Sequence, residues 1–229
     1  MKILIIIPVY NEEHNIEKVI TQLKQNVPYA DYIVVNDCSN DNTVMVCKEK
    51  GYHYISLPVN LGIGGGVQAG YYYAIEHDYD IAVQMDGDGQ HDAKYIENII
   101  KPILDDEADI VIGSRFILKQ GFQSSKLRRL GINFLSMLIK ICSGTKVKDV
   151  TSGFRAVNRK FIKIYSEEYS QDYPEPEAII AGALYKGRIK EVPVIMHERE
   201  AGSSSIHSWK SVYYMIKVSI AIFTYRLKF

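Results

Sequence analysis

The chain has 229 residues, 47% hydrophobic and 24% charged, which fits one medium soluble domain that buries a real core, with room for an appendage. The net charge is zero, but residues 1–114 hold 7 Lys and Arg against 18 Asp and Glu, and residues 115–229 hold 20 against 9, so the first half suits a cation and the second an anion such as a phosphate or an acidic membrane, unless the asymmetry is only an uneven solvated surface. Three cysteines, Cys38, Cys47 and Cys142, with no CxxC spacing, exclude a disulfide framework or zinc site and point to reduced thiols in the cytoplasm.

Residues 3–7 are an unbroken apolar run, the mark of a strand buried on both faces. The run is too short for a signal-peptide core. Ile16, Val19, Ile20 and Leu23 then recur at helical spacing. Residues 32–35 read as a second strand, 41–50 as a helix stopped by Gly51, and 52–57 as a third strand. A glycine-rich turn leads into a helix over residues 67–76. Residues 81–85 form a fourth strand, 94–104 a helix and 110–112 a fifth strand. The second half is less regular: a helix at 127–141, a strand at 153–158, a helix at 177–185, a strand at 189–194 and a loop at residues 202–205.

Five alternations of strand and helix imply an α/β fold, with a mostly parallel central sheet and helices on both faces. Ligands of such sheets collect at the carboxyl ends of the strands. The chemically loaded segments, residues 8–13, 36–41, 60–66, 86–92 and 113–116, each follow a strand.

The strongest signal is Asp86-Gly87-Asp88-Gly89-Gln90 at the end of the fourth strand. Two carboxylates one residue apart repel each other, and Mg²⁺ or Mn²⁺ shared with donor phosphates offsets that repulsion. Gln90 adds a neutral oxygen, and the glycines allow close approach. An acidic turn is the plainer alternative. The run Asn60-Leu-Gly-Ile-Gly-Gly-Gly66 offers backbone N–H groups, Gly64 among them, to a phosphate, but it lacks the Lys-Ser/Thr of a P-loop and is equally a tight turn. Tyr10 can stack on a base and Asp37 can accept from its N–H edge, while Asn11 and Asp41 can cap helices. Arg115, Lys126, Arg128 and Arg129 crowd a stretch with no acidic residue between Arg115 and Lys148, suited to bidentate phosphate recognition or to a solvated basic face. Asp149 enters that stretch as a base, an orienting group or a partner of Arg155. His14, His53 and His77 read as structural or exposed, and His91 as a loop contact.

Together the segments IPVYNEE, VVNDCSNDNT, NLGIGGGVQAG, MDGDGQHD, GSRF, DVTSGFR and KEVPV…GSSS resemble the family 2 glycosyltransferases of the GT-A fold, in the branch that makes dolichyl- and polyprenyl-phosphate sugars. The resemblance covers about residues 2–200. It implies a metal-dependent, inverting hexosyl transfer, with Asp86, Asp88 and Gln90 holding Mg²⁺ or Mn²⁺. It places Pro8, Tyr10, Glu12 and Asp37 on the nucleoside, Arg115 and Arg129 on the acceptor phosphate, and Asp149 beside the reaction. The usual Asp-Asp-Gly-Ser reads Asn36-Asp37-Cys38-Ser39 here, and the usual Asp-Ala-Asp reads Asp86-Gly87-Asp88.

The expected donor is a UDP-sugar and the expected acceptor a polyprenyl phosphate, such as undecaprenyl phosphate, used in cell-surface glycan synthesis. A sugar hydroxyl on a growing polysaccharide is the alternative acceptor, with Asp149 as base; a non-catalytic nucleotide-sugar-binding module is the alternative of another class. Nucleic acid is not an expected partner. The expected domains are a catalytic unit at 1–205 and an amphipathic helical tail at 206–229. Between Ala201 and Phe229 there are four basic residues and no acidic one, and Lys217 breaks the apolar run below the ~20 residues a membrane span needs. Such a tail fits peripheral contact with the cytoplasmic face of a membrane, or packing on the domain or on a second subunit.

Overall fold

The isoleucine run becomes strand β1 (Ile3–Val9), buried along its whole length because helices cover both faces of its sheet. The structure is a computed structural model and describes residues 1–198 and 208–228. Side chains of β1 alternate between two cores. Leu4 and Ile6 enter one, and Ile3, Ile5 and Ile7 enter the other.

The second core is closed by α1 (Ile16–Asn26) and α4 (Ile96–Leu104). Ile16, Val19, Ile20 and Leu23 of α1 face it, as the spacing requires, together with Ile96, Ile99, Ile100 and Ile103 of α4. Cys47 of α2 (Thr43–Glu49) joins them. The first core is closed by α3 (Gly62–Glu76), α5 (Lys126–Ser143), α6 (Arg159–Glu167), α7 (Pro174–Leu184) and α8 (Ser208–Lys228).

The remaining strands are β2 (Asp31–Asn36), β3 (Tyr54–Ser56), β4 (Ile81–Gln84), β5 (Ile110–Ser114), β6 (Arg155–Asn158) and β7 (Ile189–Pro193). The sheet runs β3-β2-β1-β4-β6-β5-β7. All pairs are parallel except those of β6, which is antiparallel to β4 and β5. The reversal positions the site. Because β6 runs backwards, the loop before it, residues 149–154, reaches the carboxyl edge of the parallel strands.

Two elements differ from the sequence reading. The glycine-rich segment is the first turns of α3, not a turn before it. A side chain at Gly64 would collide with the Ser170 carbonyl, and one at Gly70 would lie 2.2 Å from Ile6 Cγ2, so the glycines let α3 press onto its neighbours. Helix α6 was not anticipated. The Asn158 side chain caps it by accepting from the Phe161 N–H, and Phe161, Ile162 and Tyr165 form its buried face.

The C-terminal helix packs on the domain. Val218 and Ile222 of α8 are fully buried, and Met215 lies against Gly131 of α5. Among the described residues, no helix is long and apolar enough to cross a membrane. The loop expected at residues 202–205 lies outside the described residues.

Candidate active site

The ends of β1, β2, β4 and β5 and the start of β6 meet at one edge of the sheet. At the first two ends the loops are zipped together. The Asn11 N–H donates to Ser39 Oγ, and Asn11 Oδ1 accepts from the Asn40 N–H. Asn11 therefore bridges loops instead of capping α1, whereas Asp41 accepts from the backbone N–H groups of Thr43 and Glu13 and does stabilise the start of α2. Burial alone would raise the Asp41 carboxyl, but these donors and the Thr43 hydroxyl bring it below its ordinary value.

Pro8 is buried, and its carbonyl accepts from the Gly87 N–H at 3.3 Å. Tyr10 is 46% exposed, open for stacking. Glu12 is buried; its carboxylate accepts from Asn15 Nδ2, and its carbonyl starts α1. Asp37 is also buried and its Oδ1 accepts from the Leu61 N–H at 2.7 Å, which ties the second loop to the start of α3. Gly66 faces both Pro8 and Asp37. The Gly64 N–H, expected to face a phosphate, donates instead to the Gln171 carbonyl at 3.0 Å. Cys38 sits at φ +58°, a left-handed conformation that explains the usual glycine there.

Asp86 is oriented from three sides. Gln84, fully buried, donates from Nε2 to Asp86 Oδ1 at 3.3 Å. The Asp86 N–H donates to His91 Nδ1 at 3.0 Å, so the neutral ring carries its proton on Nε2, 3.8 Å from Asp86 Oδ2. His91 is stacked on Phe154 at 4.7 Å and is a buried orienting group. Gly153 lies against the carboxylate; a Cβ there would come within 3.1 Å of Asp86 Oδ2. Asp88 Oδ1 accepts from the Gln90 N–H, and Gln90 Nε2 donates to the His197 carbonyl. Gly87 is pressed on Val9, where a Cβ would be 2.4 Å from Val9 Cγ1.

Among the described residues, no three His, Cys, Asp or Glu side chains form a preformed metal cage. The donor set nevertheless fits Mg²⁺ or Mn²⁺, which bind one or two carboxylates and complete their shell with substrate phosphates and water. Gly153 packs against Gln84 and Asp86, so the loop before β6 helps to hold that carboxylate in place.

A basic group gathers at the end of β5 and the loop before β6. Arg115 and Asp149 form a buried bidentate pair, with Nε to Oδ2 at 2.8 Å and Nη2 to Oδ1 at 2.7 Å. The Arg115 N–H adds a third bond at 3.1 Å. Asp149 is thus held by Arg115, not by Arg155. Arg155 is fully buried elsewhere and donates to the carbonyls of Ser152 and Glu175. The Asp149 loop is anchored by Glu191 of β7, whose carboxylate accepts from the N–H groups of Lys148 and Asp149.

Arg129 lies over the Phe116 ring, 3.3 Å from its centre. Its Nη1 is buried with no hydrogen-bond partner. Burial pulls its pKa below the ordinary value; Arg115 adds to the shift and Asp149 opposes it. Even so, an arginine remains a cation at neutral pH. Sequence reasoning missed Glu175, in the first turn of α7. Burial raises its carboxyl above the ordinary value, Arg155 opposes this, and the Asp86 charge adds a smaller rise; the Glu175 carbonyl accepts from Arg155 Nη1. Its signal was the acidic pair in Pro174-Glu-Pro-Glu177, which reads simply as a helix start.

Residues 4–165 match the family described as glycosyl transferase family 2. The chain is 34% identical over 215 residues to a UDP-N-acetylglucosamine–dolichyl-phosphate N-acetylglucosaminyltransferase of Methanococcus voltae, spanning 84% of each protein. It is 29% identical over 215 residues to an undecaprenyl-phosphate mannosyltransferase of Micrococcus luteus, spanning 90% of this chain and 88% of that one. Its fold is similar to that of glucosyl-3-phosphoglycerate synthase of Mycobacterium tuberculosis in complex with Mn²⁺, UDP-glucose and phosphoglyceric acid, with TM-score 0.75 at 20% identity over 98% of this chain and 79% of that one.

Proposed function

The chain belongs to glycosyl transferase family 2, and from that premise we propose that it transfers a sugar, with inversion, from a nucleotide-diphosphate sugar to the phosphate of a polyprenyl phosphate carrier for cell-surface glycan synthesis. UDP is the favoured nucleotide, after the Methanococcus enzyme and the UDP-glucose complex. The enzyme works peripherally at the cytoplasmic face of the membrane.

The observation that carries the acceptor assignment is Arg129. A guanidinium with a buried, unpartnered N–H group beside the Arg115–Asp149 pair is suited to an incoming anion. Asp149, already accepting three bonds from Arg115, is poorly placed to act as a base. A phosphate acceptor is ionised near neutral pH and needs none. Asp149 then positions Arg115, and Arg115 with Arg129 receives the acceptor phosphate. Pro8, Tyr10, Glu12 and Asp37 frame the nucleoside. Asp86 and Asp88, with Gln90, hold the divalent cation, which when bound neutralises the leaving diphosphate. The sugar carbon gains oxocarbenium character as that bond breaks.

Glu175 supports a second reading, transfer to a sugar hydroxyl, because a carboxyl raised by burial, and further by the Asp86 charge, is suited to accept a proton. Glu175→Gln separates the two. With a phosphate acceptor, kcat should change by less than about tenfold; with a hydroxyl acceptor it should fall by about 100-fold or more. The test of the main reading is incubation with UDP-sugars and a short-chain polyprenyl phosphate, with and without EDTA. The expected result is a glycosylated lipid phosphate and free UDP, both abolished by chelator and restored by Mn²⁺ or Mg²⁺. Full activity in excess EDTA would contradict the metal role.

A further inference from the structure

The last residue of β4 is a buried amide where its neighbours are hydrocarbon. Ile81, Ala82 and Val83 are fully buried, and so is Gln84, which shares the face of Ala82 and meets Tyr169 of the first core. Burying an amide is costly unless both of its ends are bonded. Both are: Nε2 donates to Asp86 Oδ1 at 3.3 Å, and Oε1 accepts from the Tyr169 hydroxyl at 3.4 Å. Charge sets the orientation, because a reversed amide would turn Oε1 toward the Asp86 carboxylate. Tyr169 is held in turn. Its ring packs against those of Tyr71 and Tyr165, at centroid distances of 5.4 and 5.3 Å, and the Tyr165 hydroxyl donates to the Ala178 carbonyl of α7. Burial lifts the Tyr169 phenol well above its ordinary pKa, so it keeps the proton it donates.

We propose that Tyr169 and Gln84 are positioning residues for the divalent cation: Tyr169 sets the Gln84 amide, and the amide fixes the Asp86 carboxylate in the orientation that meets the metal. Tyr169 lies in the loop between α6 and α7, 85 residues from Gln84 and outside every strand-end segment. His91 and Gly87 hold the main chain beside Asp86, whereas Gln84 acts on the carboxylate itself. A neutral amide suits the task. A cation in its place would orient Asp86 equally well but would cancel the charge that attracts Mg²⁺ or Mn²⁺. Arg155, the partner of Gln84 across the β4–β6 pair, does not do so, since its Nη groups donate to the carbonyls of Ser152 and Glu175. The proposal rests on the metal role given under Proposed function.

The test is Mn²⁺ binding, read from the electron paramagnetic resonance signal of free Mn²⁺ as the full chain is added in the presence of UDP, against a UDP blank. Gln84→Met keeps the volume and removes the amide, and Tyr169→Phe removes one hydroxyl. At a temperature where each variant is folded, Gln84→Met should weaken Mn²⁺ binding about tenfold or more and Tyr169→Phe about threefold or more. Tyr169→Phe added to Gln84→Met should weaken it no further, because Tyr169 acts through the amide. A merely structural role would lower the melting midpoint and leave the Mn²⁺ affinity of the folded chain unchanged. A smaller loss in either single variant would overturn the proposal, as would a Tyr169→Phe loss that persists at full size in the Gln84→Met background. Should Gln84→Met fail to fold, Tyr169→Phe decides alone. An unmodified chain that takes up no Mn²⁺ would instead overturn the metal reading, and the proposal with it.

Discussion

Replacing Asp149 by Asn is expected to unsettle the fold as much as the chemistry. The carboxylate is fully buried and the Arg115 side chain is only 7% exposed, so neither charge can turn to water. Oδ2 accepts from Arg115 Nε and from its backbone N–H, and Oδ1 accepts from Nη2. In either amide orientation Asn turns an N–H₂ donor toward a donor of Arg115. Breaking a buried ion pair by removing one partner costs ~3–5 kcal/mol, and Asn, which keeps one acceptor, should fall near ~3. Urea unfolding reads this as a lower midpoint at unchanged slope. The double replacement Arg115→Met with Asp149→Leu removes both charges and should recover about half of the loss, with ~1–2 kcal/mol remaining for the Arg115 backbone N–H that then lacks its acceptor. If Asp149→Asn were within ~0.5 kcal/mol of the unmodified protein, the pair would not be a structural element and the case against Asp149 as a base would collapse.

Three further expectations concern the frame of the site. Cys38→Gly should stabilise the chain by ~0.5–1 kcal/mol, the relief of a left-handed non-glycine residue less the chain entropy glycine loses; a lower urea midpoint would refute this. Gly70→Ala should destabilise by ~1–3 kcal/mol, because its Cβ would lie 2.2 Å from Ile6 Cγ2, and a neutral result would mean that α3 can move off β1. Asp109→Asn tests electrostatics: burial raises the Asp109 carboxyl, but side-chain and backbone donors of Arg188, with Asn158, bring it below its ordinary value. A depressed carboxyl contributes stability above the unfolded pKa and loses it as pH falls through the folded one. The deficit of Asp109→Asn in urea unfolding should therefore be present at pH 7 and shrink in acid, and a deficit constant with pH would exclude the ionic contribution.

The strand ends were legible because they follow from a local rule, an apolar run broken by polar residues at the edge of a parallel sheet. Asp86 and Asp88, Asp37 and Arg115 all lie where that rule puts them. Helix α1 was equally plain, since its four buried residues share one helical face. What escaped depends on long-range pairing. Asp149 bonds to Arg115, 34 residues away, and Arg155, closer in sequence, is turned to other carbonyls. The reversal of β6 is not encoded in its four residues, yet it delivers the Asp149 loop to the site. The glycines of α3 look like a turn by composition, and only the backbones lying against Gly64 and the side chain against Gly70 show why a helix needs them. Helix α6 did carry a local signal, Asn158 before Phe161, but its short length and basic flanks obscured it.

The central claim is that the nucleophile is a phosphate oxygen held by arginine. The most direct measurement is mass spectrometry of products when the enzyme, a UDP-sugar and Mn²⁺ meet equal amounts of short-chain polyprenyl phosphate, the matching polyprenol and an oligosaccharide. The account predicts sugar on the polyprenyl phosphate alone, with one UDP released per transfer, and a raised KM for that lipid in Arg129→Ala. Sugar appearing on the oligosaccharide hydroxyl, with the polyprenyl phosphate untouched, would contradict it.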